Sequence, residues 1–407
     1  MTTTHWMCMS RLACIIVAAL SVMSASAQGN NTRMGGEDGD YESLTERVLK
    51  LEKKTDAFNV YLNYAAGVSS QHDGEEWKTG FANRQLRLEI KGNITPRLYY
   101  RLRHCLNRSN AQHDNDNFAR ATDIMMIGYS ISDKVDVMGG KLCQIWGGFE
   151  YDQNPMEIYQ YSDLIDRMDI FTAGVTVSYK PIPSQEIAVE VCNANNGTFN
   201  GDYGKDVQIV TDDLSRPVGL HSSHCPLTYI FNWNGNFLGN KLQTRWAWGL
   251  QTQARGTYSR MLTLGQRLNL PTVQWYIDYF GEWDDFDRLG YATGDLAPYL
   301  PAGNTYAGKV HSNTLITKLN WQFMPQWNLM LKGTYETTSM SRMERFKNYR
   351  KTMGYLASVE YYPVKKQDFR LFLAYMGHHY GFSDKSGLES YNTNRVELGF
   401  MYRIKCF

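Results

Sequence analysis

Cysteine is scarce in this chain and badly placed for any framework. Seven occur in 407 residues. Beyond the first 27 residues only Cys105, Cys143, Cys192, Cys225 and Cys406 remain. That is an odd number at wide spacings with no C-x-x-C pair, which excludes a disulfide scaffold and a zinc-binding pattern. No apolar run after the N-terminus reaches the ~20 residues that a spanning helix needs. The formal net charge is only +1, so no bulk field draws the protein to nucleic acid. G-x-S-x-G and phosphate-loop motifs are missing too, and with them the commonest hydrolase and nucleotide-binding signatures. No cofactor is implied.

The N-terminus is organised. "MTTTHWMCMSR" carries one cation, Arg11, ahead of the apolar "LACIIVAALSVM" and the small-residue "SASAQ". This is the three-part layout of a secretory signal, with cleavage expected after Ala27. Cys14 precedes the apolar core rather than following it, which argues against a lipoprotein. Residues 28–40 are rich in Gly, Asn and Asp and read as a disordered linker. Over 41–57 a short helix is expected. Tyr41, Leu44, Val48, Leu51 and Thr55, with Phe58 just beyond, recur at 3/4 spacing, as in a two-heptad coiled coil or a lone amphipathic helix.

From Phe58 to Phe407 the period changes to two. "QLRLEIKGNI" sets Leu86, Leu88 and Ile90 against Arg87, Glu89 and Lys91. "FTAGVTVSYK" aligns Phe171, Ala173, Val175, Val177 and Tyr179 on one face. Leu242, Trp246, Trp248 and Leu250 oppose Gln243, Arg245 and Gln251. Val273, Trp275, Ile277 and Tyr279 oppose Gln274, Asp278 and Glu282. About 16 such runs are expected, centred near residues 62, 88, 102, 126, 139, 175, 189, 230, 247, 262, 277, 317, 331, 357, 373 and 400.

The connections alternate. Tight ones ("NITP", "SDK", "PIPSQ", "NFLGN", "NLP", "MPQ", "PVKKQ") interleave with long ones at roughly 81 and before, 106–118, 146–168, 194–223, 283–309, 338–349 and 378–393, plus a short break at 254–257. Soluble hairpins have no reason to keep every second turn short. A transmembrane barrel does, with short periplasmic turns on one side and long extracellular loops on the other. The expected fold is therefore an all-β transmembrane antiparallel barrel of about 16 strands, closed because unpaired backbone in lipid is prohibitive. Apolar stripes would face lipid and polar stripes water. Aromatics near strand ends, as in "WYIDYFGEW", fit an interfacial girdle. The competing reading is a soluble sandwich or lectin whose apolar faces meet inside.

One stretch carries a resemblance: "GGKLCQIWGGFEYDQNPMEIYQYSDLIDRMDIFTAGVTVSY", with Gly140-Lys141, Trp146-Gly147-Gly148-Phe149-Glu150 and the "YQYS" continuation. It resembles the phosphate-selective porin family, in its branch of outer-membrane porins with a short N-terminal coiled coil. The resemblance implies a homotrimeric 16-stranded porin of a Gram-negative outer membrane, letting small hydrophilic solutes diffuse through. It also implies that the third long loop folds inward and narrows the lumen. Lipid and lipopolysaccharide would surround the barrel, and the β-barrel assembly machinery would read the last strand and Phe407. In the usual signature that aromatic shares parity with the lipid stripe. Here Val396, Leu398, Phe400, Tyr402 and Ile404 are even and Phe407 is odd.

Carried onto the barrel, Arg87, Lys91, Arg101 and Arg103 fall on the lumen face, with Lys141 beside them. The inward loop brings Glu150, Asp152, Glu157, Asp163 and Asp166, with Arg167 as its lone cation. A basic wall facing an acidic loop would orient dipolar solutes. A dedicated phosphate channel would need a denser basic ladder, so a general diffusion porin is the expectation and an anion- or phosphate-selective channel the alternative. An outer-membrane enzyme would use "HSSHC" at 221–225 or "HH" at 378–379, which lack a third ligand or general base. A surface adhesin would use the long loops.

Overall fold

The computed structural model describes residues 57–213, 216–364 and 367–406. The signal-peptide, linker and coiled-coil segments and Phe407 lie outside the described residues.

Sixteen strands form the barrel: β1 (Asn59–His72), β2 (Trp77–Asn93), β3 (Leu98–Cys105), β4 (Thr122–Ser132), β5 (Val135–Cys143), β6 (Phe171–Ile182), β7 (Gln185–Asn193), β8 (Leu227–Phe237), β9 (Leu242–Gln251), β10 (Ser259–Asn269), β11 (Val273–Phe286), β12 (Thr305–Met324), β13 (Trp327–Met340), β14 (Arg350–Tyr361), β15 (Asp368–Phe382) and β16 (Tyr391–Lys405). Each pairs antiparallel with its sequence neighbour, and the ring closes where β1 meets β16, from Tyr61 opposite Lys405 to His72 opposite Asn394. Every strand expected from the two-residue period is present. Two short pieces, Gln208–Val210 and Val218–Gly219, lie within the 194–226 connection, the former parallel to the start of β12.

The faces divide as lipid requires. Trp246, Trp248, Trp275 and Trp321 are 37–50% exposed on the outer wall, whereas Arg245, Asp278 and Lys318 on the same strands are buried inside. A soluble sandwich would invert this. Short turns (94–97, 133–134, 183–184, 238–241, 270–272, 325–326) lie at one end and the longer connections at the other.

Three expectations need correcting. The β1–β2 connection, expected to be long, is only residues 73–76, because both strands run on past it. Phe171, expected on the lipid stripe, turns inward, with the Arg103 guanidinium 4.9 Å from its ring centre. "HH" sits on β15 rather than in a loop, and alternation sends the rings to opposite faces. His378 meets Gln160 inside (3.0 Å) and His379 meets Asn392 outside (2.8 Å), so they cannot share a ligand.

Candidate functional site

The 144–170 connection crosses the lumen as a strap. It begins at Gly147 and Gly148, with φ of 71° and 78°. Side chains rarely adopt that conformation. A Cβ on Gly148 would also lie 2.8 Å from the Phe280 ring of β11. The "GGFE" motif is thus the inward bend itself. Gly148 N donates to Arg245 O at 3.1 Å, and Asn232 Nδ2 to Ile145 O at 2.8 Å.

Two short helices follow, α1 (Phe149–Asp152) and α2 (Asp163–Arg167), with a 3-10 turn at Pro155–Glu157 between them. A wall carboxylate receives the first amides of each helix. Asp278 Oδ2 on β11 accepts from Phe149 N and Glu150 N, both at 2.8 Å. Glu336 on β13 accepts from Asp163 N at 2.9 Å and Leu164 N at 3.3 Å. Free N–H groups at a helix start favour such anions.

Wall cations hold the middle of the strap. Lys332 pairs with Glu150 (2.6 Å) and donates to Gln160 O (2.7 Å). Lys318 donates to Gln153 Oε1 (3.0 Å) and Glu157 O (3.2 Å). Arg350 pairs with Asp163 at 2.7 Å, and Arg395 donates to Tyr159 O at 2.8 Å. Arg370 donates to Met156 O, and the Tyr159 hydroxyl to Glu360.

The strap therefore leans on the β11–β16 side and leaves a cavity of about 730 Å³ against β2–β6. Arg84, Arg87, Arg101, Arg103, Lys141 and Arg395 line it from the wall, and Arg108, His113 and Arg120 from the 106–121 loop. Asp152, Asp163, Asp166 and Asp169 line it from the strap. Among the side chains lining this space, eight Arg and Lys meet five carboxylates, an excess of three positive charges at the lining itself, while Glu89, Asp116 and Glu397 behind it pair with Arg101, Lys141 and Arg84.

Two carboxylates stitch the wall cations together. Asp123 is shared by Arg87 (3.0 Å), Arg103 (3.1 Å) and Arg108 (3.6 Å). Glu89 is shared by Arg101 (2.8 Å), Arg403 (3.6 Å) and Lys91 (3.7 Å). Lys141 pairs with Asp116 at 3.4 Å. In the 106–121 loop, burial with Lys141 nearby lowers the His113 pKa. In the 194–226 loop, burial with Asp169 nearby raises Asp202 to about 6.

The eleven residues singled out in the sequence thus fall into groups. Arg87, Arg101, Arg103, Lys141, Asp152, Asp163 and Asp166 share the cavity. Glu150 and Glu157 turn away from it, toward Lys332 and Lys318 on the far wall. Lys91 sits against Glu89 and the Tyr61 ring. Arg167 stacks over Tyr291, 4.6 Å from its ring centre.

Sequence reasoning missed Arg84, Asp123 and Arg395. Arg84 is a bulge residue, since Ala65 pairs with Gln85 and Ala66 with Asn83. Asp123 bulges likewise, where Arg103 pairs with Ile124 and His104 with Thr122. Arg395 lies on the polar face of β16, and only barrel closure brings it beside the first strands.

A closed barrel with a lipid-facing apolar surface, an inward strap and a charged aqueous cavity is an outer-membrane diffusion channel. The chain belongs to the phosphate-selective porin O and P family, whose sequence pattern it matches over residues 58–404. No curated protein matches it. Solved structures similar in fold include the outer-membrane channel DcaP of Acinetobacter baumannii, with TM-score 0.58 and 11% identity over 90% of this chain and 99% of that one. OprB of Pseudomonas putida gives 0.54 and 11%, over 86% and 94%. A trimer form of OmpT from Vibrio cholerae gives 0.52 and 10%, over 86% and 100%. The protein is a Gram-negative outer-membrane porin allowing passive diffusion.

Proposed function

We propose that this porin conducts small hydrophilic solutes as a homotrimer without catalysing a reaction, and that the gap between strap and basic wall favours anions without being a dedicated phosphate channel. The observation that carries this reading is the excess of three positive charges among the side chains that line the cavity. Charged side chains lining a pore set its ion preference. The basic rail from Arg108 through Arg87 and Arg103 to Arg101 would pass an anion from contact to contact, yet Asp123 and Glu89 interrupt it. Those interruptions favour modest selectivity over tight phosphate capture. The trimer form of the similarly folded OmpT supports trimerisation.

The test is a reversal potential across planar bilayers in a salt gradient. Wild type is expected to pass chloride better than potassium. Replacing Arg101 and Arg103 by Ala should lower that ratio severalfold, because each removed charge changes an ion's energy ~7 Å away by ~0.6 kcal/mol before salt screening. An unchanged ratio rejects the role given to this wall. Phosphate blocking chloride current at micromolar concentration would favour the phosphate-selective alternative. An unboiled gel band that collapses to one third of its mass on heating tests the trimer. The assembly machinery would take β16 with Phe407 as its recognition element, and deleting Phe407 should then reduce folded barrel in the membrane.

A further inference from the structure

The outer wall carries charges that the channel does not use. Over most of the barrel the outward residues are apolar, as at Leu262, Ile277, Leu315 and Tyr355. Toward the long-loop end of β10–β15 the pattern changes. Strand register aligns Arg260 with Trp283, His311 and Ser339 in one outward row. The outward row two residues nearer the periplasm runs Gly281, Asn313, Thr337, Lys351 and Gly381.

These side chains form a polar strip on a surface that faces lipid below it. Tyr279 donates to Asn313 Oδ1 at 2.8 Å, and Asn313 Nδ2 donates to Thr337 Oγ1 at 3.3 Å. The Trp283 ring packs on His311 with centroids 5.0 Å apart. Arg260 and Lys351 are exposed, and neither has a carboxylate partner among the described residues; the Arg260 guanidinium only overlies Tyr258, at 5.9 Å. The space over Gly281 is filled by the Tyr279 hydroxyl and the Trp283 ring.

An outward Arg or Lys is strongly destabilising at the bilayer midplane and nearly neutral at the interface. Two unpaired cations among hydroxyls, with an exposed Trp between their strands, therefore mark the headgroup level of the outer leaflet. We propose that this strip binds the phosphorylated sugar headgroup of lipopolysaccharide. Arg260 and Lys351 each contact a phosphate, and Thr337 and Ser339 hydrogen-bond sugar hydroxyls. Charge complementarity selects this occupant. A neutral lipid would leave both cations unpaired.

The test uses the full protein in detergent, stripped of lipid and titrated with purified lipopolysaccharide while native mass spectrometry counts bound lipid. Each cation near an anionic headgroup adds attraction equivalent to roughly fivefold in affinity, so Arg260→Ala with Lys351→Ala should weaken binding roughly 25-fold. Enzymatically dephosphorylated lipopolysaccharide should bind wild type and the double variant alike, and millimolar inorganic phosphate should not displace the lipid. Conductance should stay at the wild-type level, since neither side chain faces the lumen. Where the double alanine variant yields no conducting barrel, Arg260→Gln with Lys351→Gln replaces it under the same criteria. Wild-type affinity in a conducting double variant, equal wild-type binding of dephosphorylated lipid, or displacement by phosphate would each overturn the proposal. None of these outcomes touches the ion-preference test, so the two readings fail separately.

Discussion

The strap is held by its helix starts, and removing one carboxylate should loosen one half of it. Asp278 accepts the amides of Phe149 and Glu150, and Glu336 those of Asp163 and Leu164. A hydrogen bond to a charged group contributes about 1.5–3 kcal/mol. Water in the lumen can solvate freed amides, so the lower figure applies, giving roughly 3 kcal/mol for the two bonds on each carboxylate. That amounts to about 150-fold more of the detached state, at 1.4 kcal/mol per tenfold. Amide hydrogen exchange by mass spectrometry reads this directly. In Asp278→Ala, peptides covering 149–153 should exchange about a hundredfold faster while those covering 163–167 keep their protection. In Glu336→Ala the pattern should reverse. Asp278→Asn keeps one acceptor oxygen without the charge and should fall between. The other ties, from Lys332, Lys318 and Arg350, remain in each variant, so the strap stays in the lumen and the mean conductance changes little while its noise grows. Unchanged exchange in α1, or equal loosening of both helices and the wall strands, would show that these carboxylates do not hold the strap.

Gly140 has φ of 119°, and a Cβ there would lie 2.3 Å from Met125 O. Gly140→Ala should cost about 1–3 kcal/mol from backbone strain alone and lower the temperature at which the barrel band shifts on a gel. Gly139→Ala, whose added Cβ meets nothing closer than 3.9 Å, should leave it unchanged. In the 287–304 connection, Asp287 Oδ2 accepts from Thr293 N and Oγ1, both at 2.7 Å, and burial raises its pKa to about 6. A carboxyl whose folded pKa is raised favours folding when protonated. This contribution is full below the unfolded pKa, near 4, and is lost as pH rises through 6. Exchange protection around 287–296 should accordingly fall between pH 5 and pH 7.5, and Asp287→Asn should abolish that dependence. A wild type whose protection is flat over that range would refute it.

The architecture was legible because lipid imposes one rule on every strand. Each outward residue must be apolar and each inward one may be polar, so β1 to β16 announce themselves by period alone, and the alternating lengths of their connections set which end is which. Contacts of the strap were not legible. Asp278 reads correctly as an inward polar residue, but the amides that it and Glu336 hold lie well over a hundred residues earlier in the chain, and no local pattern links them. The cavity wall was misread wherever alternation breaks. A regular strand presents an inward side chain only every ~6.6 Å. The bulge at Arg84 lets two consecutive residues reach the strap, Arg84 to Tyr159 O and Gln85 to Pro155 O. The bulge at Asp123 sets that carboxylate and Ile124 inward together, so one Asp can serve three arginines. Lys141 and Met138 are three positions apart and both buried, and the positive φ of Gly140 lies between them. A dense ring of charge cannot be built from undisturbed alternation, so the residues best suited to tune the pore are those a two-residue period hides.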